Sequence, residues 1–264
     1  MPTRLGQHFL NNAGAIKKII AALDIRPGET IVEIGPGKGA LTFPLAEECL
    51  KSDVGCKIIA IEKDRQLAKD LEYRIQNIGT VKIITGDALR LLPEIPKFYI
   101  LNSKSWKVVG NIPYYITGHL LRTLSELKNK PSKIVLMIQK EVAERITARP
   151  PKMNLLAAIT QFWSEPKILV RLKAGDFSPA PKVDSAVIQL LPKPPTDPPN
   201  QYFAFVKKLF KQPRKNLLNN LAAQGEKKAV LAARLKKYGL SGHERAQNLD
   251  IPTLIALSQS TSDV

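Results

Sequence analysis

The segment Gly110-Asn111-Ile112-Pro113-Tyr114-Tyr115 gathers residue types suited to one difficult reaction. The exocyclic amine of a nucleobase is a poor nucleophile because its lone pair is delocalised into the ring. A catalyst must localise that lone pair and aim it at an electrophile. The Asn111 side-chain oxygen and the Ile112 carbonyl are two acceptors for the two amine hydrogens, an arrangement that favours a pyramidal nitrogen. Pro113 fixes the local backbone and so preorganises both acceptors. Tyr114 offers a ring on which a base can stack once it has left its helix. The plainer reading of the same residues is an Asx turn beside a core tyrosine.

A second constellation lies upstream. Gly35-Pro36-Gly37-Lys38-Gly39-Ala40 falls between an apolar strand and a helix, where glycines let the backbone approach a ligand at the helix N-terminus. With Glu62 closing the next strand it passes as a dinucleotide fingerprint. By itself it suits a nicotinamide or S-adenosylmethionine equally, and a bare tight turn is the third reading. Glu62 is placed to accept from two ribose hydroxyls. Asp87, at the end of the following strand, is placed to meet an adenine amino group. Three consecutive strand ends on one edge are where a doubly wound sheet takes its ligand.

The elements that must hold these residues are legible from apolar patterning. Strands are expected at 30–34, 57–61, 81–85, 106–109 and 134–138, with helices at 40–50 and 64–76. Strands alternating with helices predict a parallel, doubly wound α/β sheet. Residues 183–190 have strand character. Five prolines within 192–199 then predict a semi-rigid linker. Beyond it, 201–257 carries helical patterns only, and 258–264 reads as a frayed tail. The expected division is therefore 1–192 and 193–264, the second part a small helical domain.

Charge points to the partner. Forty Lys and Arg against 23 Asp and Glu give a formal net charge of +17, a field that attracts polyanions. The excess is uneven: from 201 to 239 there are ten basic residues and one acid, Glu226. No apolar run is long enough to span a bilayer, and no signal-like segment opens the sequence, so an intracellular, membrane-free protein is expected. The two cysteines, Cys49 and Cys56, are read as reduced thiols. With His8, His119 and His243 scattered, no metal set is expected.

Taken together, these motifs resemble the small-subunit ribosomal RNA adenine dimethyltransferase family, the KsgA/Dim type. Asn111-Ile112-Pro113-Tyr114 is similar to the catalytic motif of adenine-specific methyltransferases. Gly6-Gln7-His8-Phe9-Leu10, Val32-Glu33-Ile34-Gly35-Pro36-Gly37, Gly86-Asp87-Ala88 and Gln139-Lys140-Glu141-Val142-Ala143 follow the family's order. So do Phe177-Ser178-Pro179-Ala180-Pro181-Lys182-Val183-Asp184-Ser185-Ala186-Val187, Arg214-Lys215 with Asn219-Asn220-Leu221, and Arg245-Ala246-Gln247-Asn248-Leu249.

The resemblance implies a Rossmann-like methyltransferase domain using S-adenosyl-L-methionine. Its cofactor contacts would be Gln7, His8, Leu10, Gly35, Gly37, Glu62, Lys63, Asp87, Ala88 and Asn111. Asn111, Ile112, Pro113 and Tyr114 would carry the chemistry, with Phe177 covering the adenine face opposite Tyr114. It implies two adjacent adenines near the 3′ end of small-subunit RNA as target. The partner would be that RNA or a pre-small-subunit particle, met by a cytoplasmic monomer. His8 departs from the family pattern, standing where Asn is usual, and Tyr115 replaces a smaller polar residue. Three rivals share parts of this reading. They are a large-subunit RNA dimethyltransferase of the antibiotic-resistance type, an RNA-binding assembly or transcription factor without catalysis, and a nicotinamide oxidoreductase, which has no use for Asn111 to Tyr114.

Overall fold

The runs Thr30–Ile34 and Lys57–Glu62 are rich in β-branched residues, and their apolar residues fall in runs without alternation, the pattern of strands covered on both faces. Both are buried along nearly their entire length. They are interior strands of a sheet in a computed structural model that describes residues 8–51, 55–194, 199–223 and 227–260.

In chain order the first half comprises β1 (Phe9–Leu10), α1 (Ala13–Leu23), β2 (Thr30–Ile34), α2 (Thr42–Lys51), β3 (Lys57–Glu62), α3 (Arg65–Ile75) and β4 (Val81–Thr85). Two single turns, α4 (Ala88–Leu91) and α5 (Ile95–Phe98), lead to β5 (Trp106–Asn111), α6 (Thr117–Glu126), β6 (Lys133–Gln139) and α7 (Lys140–Ile146). Then come α8 (Leu155–Trp163), β7 (Ser164–Leu172), β8 (Phe177–Ser178) and β9 (Ser185–Pro192). The remaining helices are α9 (Pro199–Leu209), α10 (Leu217–Ala222), α11 (Lys228–Lys237) and α12 (Ile251–Gln259).

Seven strands form one sheet in the order β4-β3-β2-β5-β6-β9-β7. The strands from β4 to β6 are parallel, and β9 runs antiparallel to β6. Strand order reverses between β2 and β5, so a crevice opens beyond the carboxyl ends of these two neighbours. The α/β expectation holds, and the five parallel strands lie within two residues of the predicted ranges.

The short strands β1 and β8 make a separate antiparallel ribbon, pairing Phe9 with Ser178 and Leu10 with Phe177. The link is reinforced where Asn11 N–H donates to the Asp176 carbonyl at 2.8 Å and the Asn12 amide to the Asp176 carboxylate at 2.9 Å. Contacts between residues so distant in sequence left no trace in the local patterns.

The chain divides into two compact units, Met1–Ala143 with Glu165–Pro192, and Glu144–Ser164 with Lys193–Val264. Sequence reasoning put Glu144–Ser164 in the first domain; in the structure it belongs to the second. The reason is aromatic. Phe162 on α8 stacks on Tyr202 of α9 with centroids 4.1 Å apart, and the Tyr202 hydroxyl donates to the Ala158 carbonyl at 3.0 Å. Residues 195–198 of the expected linker lie outside the described residues, and Pro192 ends β9.

Two smaller expectations fail. Cys49 and Cys56, read as separate thiols, form a disulfide with Cα atoms 5.3 Å apart, because the end of α2 and the start of β3 are apposed. Ser258 and Gln259, expected in a frayed tail, belong to α12, which buries Ser258; residues 261–264 of that expectation lie outside the described residues.

Candidate active site

One cavity collects the predicted site residues that the structure describes, Phe177 excepted. Its walls include His8, Leu10, Gly35, Gly37, Glu62, Lys63, Asp87, Ala88, Asn111, Ile112, Pro113 and Tyr114, with Phe9, Glu33, Tyr115 and Ile116. It lies where β2, β3, β4 and β5 end, the edge named by sequence patterning. Gln7, expected to contact a cofactor, lies outside the described residues.

The glycine turn is built from close approaches. Gly37 has φ +56°, and a Cβ there would come within 2.8 Å of the Phe9 ring. Its N–H donates to Glu62 Oε2 at 2.9 Å, while Asp64 N–H donates to Oε1 at 2.9 Å. The Glu62 carboxylate, 5% exposed, thus ties the turn after β2 to the end of β3. Each of its oxygens keeps a second lone pair for a ligand. Gly110 is required for another reason: a Cβ would meet the Ile34 carbonyl at 2.5 Å, so only glycine lets β5 close on β2 just before Asn111.

Asp87 caps α4 through Leu89 N–H at 3.0 Å and accepts from Lys63 Nζ at 2.9 Å. The Lys63 ammonium holds the Asp87 carboxyl below its usual range, and Asp87 in turn raises Lys63.

Glu33 was not predicted as a site residue. It is an acid inside a buried apolar strand, and that placement was the available signal. It lines the cavity and is 1% exposed. Burial pushes its carboxyl up to about 8; the Thr42 hydroxyl, donating at 2.7 Å, opposes the shift, and the Glu62 charge adds to it. Two acids of one cavity thus sit in unlike environments, the pattern by which a site keeps one carboxyl protonated near neutrality.

The Asn111 amide is oriented by its own hydrogen bond: Nδ2 donates to the His8 carbonyl at 2.6 Å. With the NH2 end engaged, Oδ1 is the free end of the amide. Among the described residues no donor is bonded to Asn111 Oδ1 or to the Ile112 carbonyl. Ile112 is itself anchored through its N–H to the Met137 carbonyl at 3.0 Å.

Tyr114 begins a short 3-10 turn, Tyr114–Ile116, and its hydroxyl is 2.8 Å from Ser185 Oγ on β9. Burial raises the Tyr114 hydroxyl above its ordinary value, against the Ser185 hydrogen bond, which lowers it. Ser185 is fully buried; sequence reading placed it in a family-like motif without a task.

Phe177 stands apart from the other expected site residues. It was expected to cover an adenine opposite Tyr114. Its pairing with Leu10 in the β1–β8 ribbon leaves it 5% exposed within an apolar cluster that includes Leu172 and Val187, and it does not line the cavity.

Beyond the cavity, nine basic side chains of the stretch 207–237 in the second unit are exposed: Lys207, Lys208, Lys211, Arg214, Lys215, Lys227, Lys228, Lys236 and Lys237. None of them forms an ion pair among the described residues. No group of three or more His, Cys, Asp or Glu among the described residues is placed to hold a metal ion. No described helix is long and apolar enough to cross a membrane.

The strand order, the antiparallel β9 and the cavity at the switch point define a Rossmann-like α/β fold of the methyltransferase type. The profile of the family described as ribosomal RNA adenine dimethylase matches residues 1–261, and the chain belongs to that family. A ribosomal RNA small subunit methyltransferase A of Dehalococcoides mccartyi is 37% identical over 253 residues, covering 94% of this chain and 84% of that protein. A dimethyladenosine transferase from Plasmodium falciparum superposes with a TM-score of 0.78 at 22% identity, covering 97% of this chain and 98% of that one. The 23S rRNA methyltransferase ErmE gives 0.74 at 22% identity, covering 97% and 100%. At 22% identity both structures bear on the fold alone.

Proposed function

We propose that this protein transfers methyl groups from S-adenosyl-L-methionine to the exocyclic amines of two adjacent adenines near the 3′ end of small-subunit ribosomal RNA, giving N6,N6-dimethyladenine. The observation that carries the chemistry is the Asn111 amide, turned by the His8 carbonyl so that Oδ1 and the Ile112 carbonyl are both unclaimed acceptors. The small-subunit target is supported by the relative from Dehalococcoides mccartyi, whose name carries it.

The residues present fit the cofactor. Glu33 is a buried acid suited to an ammonium group, Glu62 to ribose hydroxyls and Asp87 to an amino group on a purine. When bound, the cofactor supplies an electrophilic methyl on a sulfonium. Asn111 Oδ1 and the Ile112 carbonyl accept the two amine hydrogens and draw the nitrogen towards a pyramidal form. Pro113 keeps both acceptors in place, and Tyr114 bears the base while Ser185 steadies its hydroxyl. Once methylated, the amine is acidic and releases its proton to water, so none of these side chains needs to act as base. The exposed lysines and arginines of the second unit meet RNA phosphates, which sets affinity and leaves base recognition to the cavity. The setting is the cytoplasm, and the working form a monomer.

The test is incubation with labelled cofactor and each purified ribosomal subunit lacking the modification, followed by mapping of the label. Dimethylation removes both hydrogens of the pairing amine, so reverse transcription stops there. Label confined to two adjacent adenines of the small subunit is the expected result. Label in the large subunit gives the resistance-type reading. No transfer to either subunit gives the non-catalytic one.

A further inference from the structure

The glycine turn after β2 must be held in one geometry to receive a ligand, yet its backbone is intrinsically free. Gly35, Gly37 and Gly39 have φ of +67°, +56° and +87°, and ordering glycine costs more conformational entropy than ordering any other residue. Three N–H groups of the turn are tethered: Gly35 donates to the Ile61 carbonyl at 3.0 Å, Gly37 to Glu62 at 2.9 Å and Gly39 to the Pro36 carbonyl at 2.8 Å. A carbonyl of the turn is held from α3. Arg74 Nη1–H donates to the Lys38 carbonyl at 2.8 Å. The same guanidinium lies over the Phe43 ring, 4.6 Å from its centroid. Phe43 in turn packs under the glycines: a Cβ on Gly39 would come within 2.5 Å of the Phe43 ring and 2.9 Å of Leu71. Leu71 stands three residues before Arg74, so both reach the turn from one face of α3. Arg74 is in the last turn of that helix, where a cation also meets the helix dipole favourably. The other end of α3 is tied to the same site, because Asp64, its N-cap, donates its N–H to Glu62 Oε1 at 2.9 Å. The helix therefore braces the cavity wall at two points, the Glu62 carboxylate and the Lys38 carbonyl. Arg74 itself does not line the cavity.

We infer that Arg74 is a positioning residue for the cofactor: through the Lys38 carbonyl and the Phe43 ring it holds the glycine turn in the form that receives S-adenosylmethionine. It touches no reacting atom and acts through the turn. The inference rests on the cofactor reading above. Arg65, Lys69 and Arg74 are all exposed basic residues of α3, and only the fold singles out Arg74.

The experiment compares wild type with Arg74→Met, Arg74→Lys and Lys69→Met. Met keeps an unbranched stem over Phe43 and a good helix propensity but has no donor. Lys restores a donor without the planar face that stacks while it donates. Lys69, exposed on the same helix, is the charge control. S-adenosylmethionine affinity is read by calorimetry, and amide hydrogen exchange at Gly39 and Val32 is read on the cofactor-free protein. Arg74→Met weakens cofactor binding by about 3- to 10-fold, the scale of one exposed charge-assisted hydrogen bond. Exchange at Gly39 quickens by a similar factor, while Val32 in the middle of β2 keeps its rate. The KM for cofactor rises with the dissociation constant, and kcat at saturating cofactor stays within about twofold of wild type. Arg74→Lys falls between wild type and Arg74→Met, and Lys69→Met matches wild type. Wild-type affinity in a folded Arg74→Met protein overturns the inference. So does an equal rise of exchange at Gly39 and Val32, which makes the loss one of global stability, or a Lys69→Met protein as weak as Arg74→Met, which makes it one of charge alone. Should Arg74→Met not fold, Arg74→Lys decides: wild-type affinity and exchange there overturn the assignment. If wild type itself binds no S-adenosylmethionine, the cofactor reading falls and takes the positioning role with it, an outcome distinct from a failure confined to the variants.

Discussion

At the residue scale, the cavity is governed by how burial and charge divide its acids. Glu33 holds its proton up to about pH 8 in the free protein, against an ordinary value of 4.5. The folded state therefore binds this proton more tightly than the unfolded chain, and Glu33 costs stability progressively as pH rises from 4.5 to about 8. An ammonium placed beside it reverses the preference and favours the carboxylate. Binding S-adenosylmethionine at pH 7 should then release about one proton, and affinity should rise with pH until about 8. Calorimetry in buffers of different ionisation enthalpy measures the release, and Glu33→Gln should abolish it. Binding without proton release would remove Glu33 from the cofactor site. Asn111 is tested by turnover. Asn111→Ala deletes one acceptor whose value is greatest as the amine becomes pyramidal, so kcat should fall on the order of 100-fold with subunit binding retained. Wild-type methyl incorporation by that variant would end the amine-acceptor mechanism.

At the element scale, β5 is the member on which both ends of the sheet depend. Its last residue carries Asn111 into the cavity. Near its other end, Lys107 is 3% exposed and donates to Glu29 and to the Asp24 carbonyl, both at 2.5 Å. Burial tends to raise Glu29, but Lys107 and Ser105 together bring its carboxyl below the ordinary range. Its stabilising contribution is present above pH 4.5 and is lost as pH falls through the lowered value. Lys107→Ala strands a buried carboxylate and should cost about 3–5 kcal/mol at pH 7. The deficit should shrink in acid, where Glu29 becomes neutral. Denaturant melts at pH 7 and pH 4 check both parts; an equal deficit at the two values would make the loss one of packing. The strands of the parallel core were legible because a doubly covered strand is mostly apolar and shows no alternation of apolar and polar residues. β7 was not: α8 passes into it at Trp163–Ser164 with no glycine or asparagine between, and Pro166 argues against a strand except at an edge, where β7 lies.

At the scale of the whole molecule, the cavity and the densest run of exposed basic side chains lie in different units. The cavity belongs to the first unit, and the exposed lysines and arginines named above, from Lys207 to Lys237, belong to the second. If these side chains follow phosphates, log affinity for the small subunit should fall linearly with log salt concentration. Neutralising Lys207 and Lys211 together should reduce that slope by about one unit per lost contact. The same double variant should leave S-adenosylmethionine affinity unchanged. A salt-independent affinity would take RNA binding away from the second unit. Filter binding across a salt series makes the measurement.

Local patterning was enough to place the parallel core, the sheet edge at which the cavity opens and most of the cavity wall. Those follow from local rules: buried strands are apolar, glycines mark close backbone approach, and strand ends of a doubly wound sheet converge. Which residues face one another across that cavity was set by long-range packing. His8, Asn111, Tyr114, Phe177 and Ser185 come from four separate stretches of chain. Whether a ring such as Phe177 points to the ligand or to the core depends on the β1–β8 pairing, a contact spanning more than 160 residues that leaves no periodicity in the sequence. The Cys49–Cys56 bond and the transfer of Glu144–Ser164 to the second unit have the same origin. Each is set by which surfaces meet when the chain folds, and a linear pattern records which residues are to be buried without recording against what.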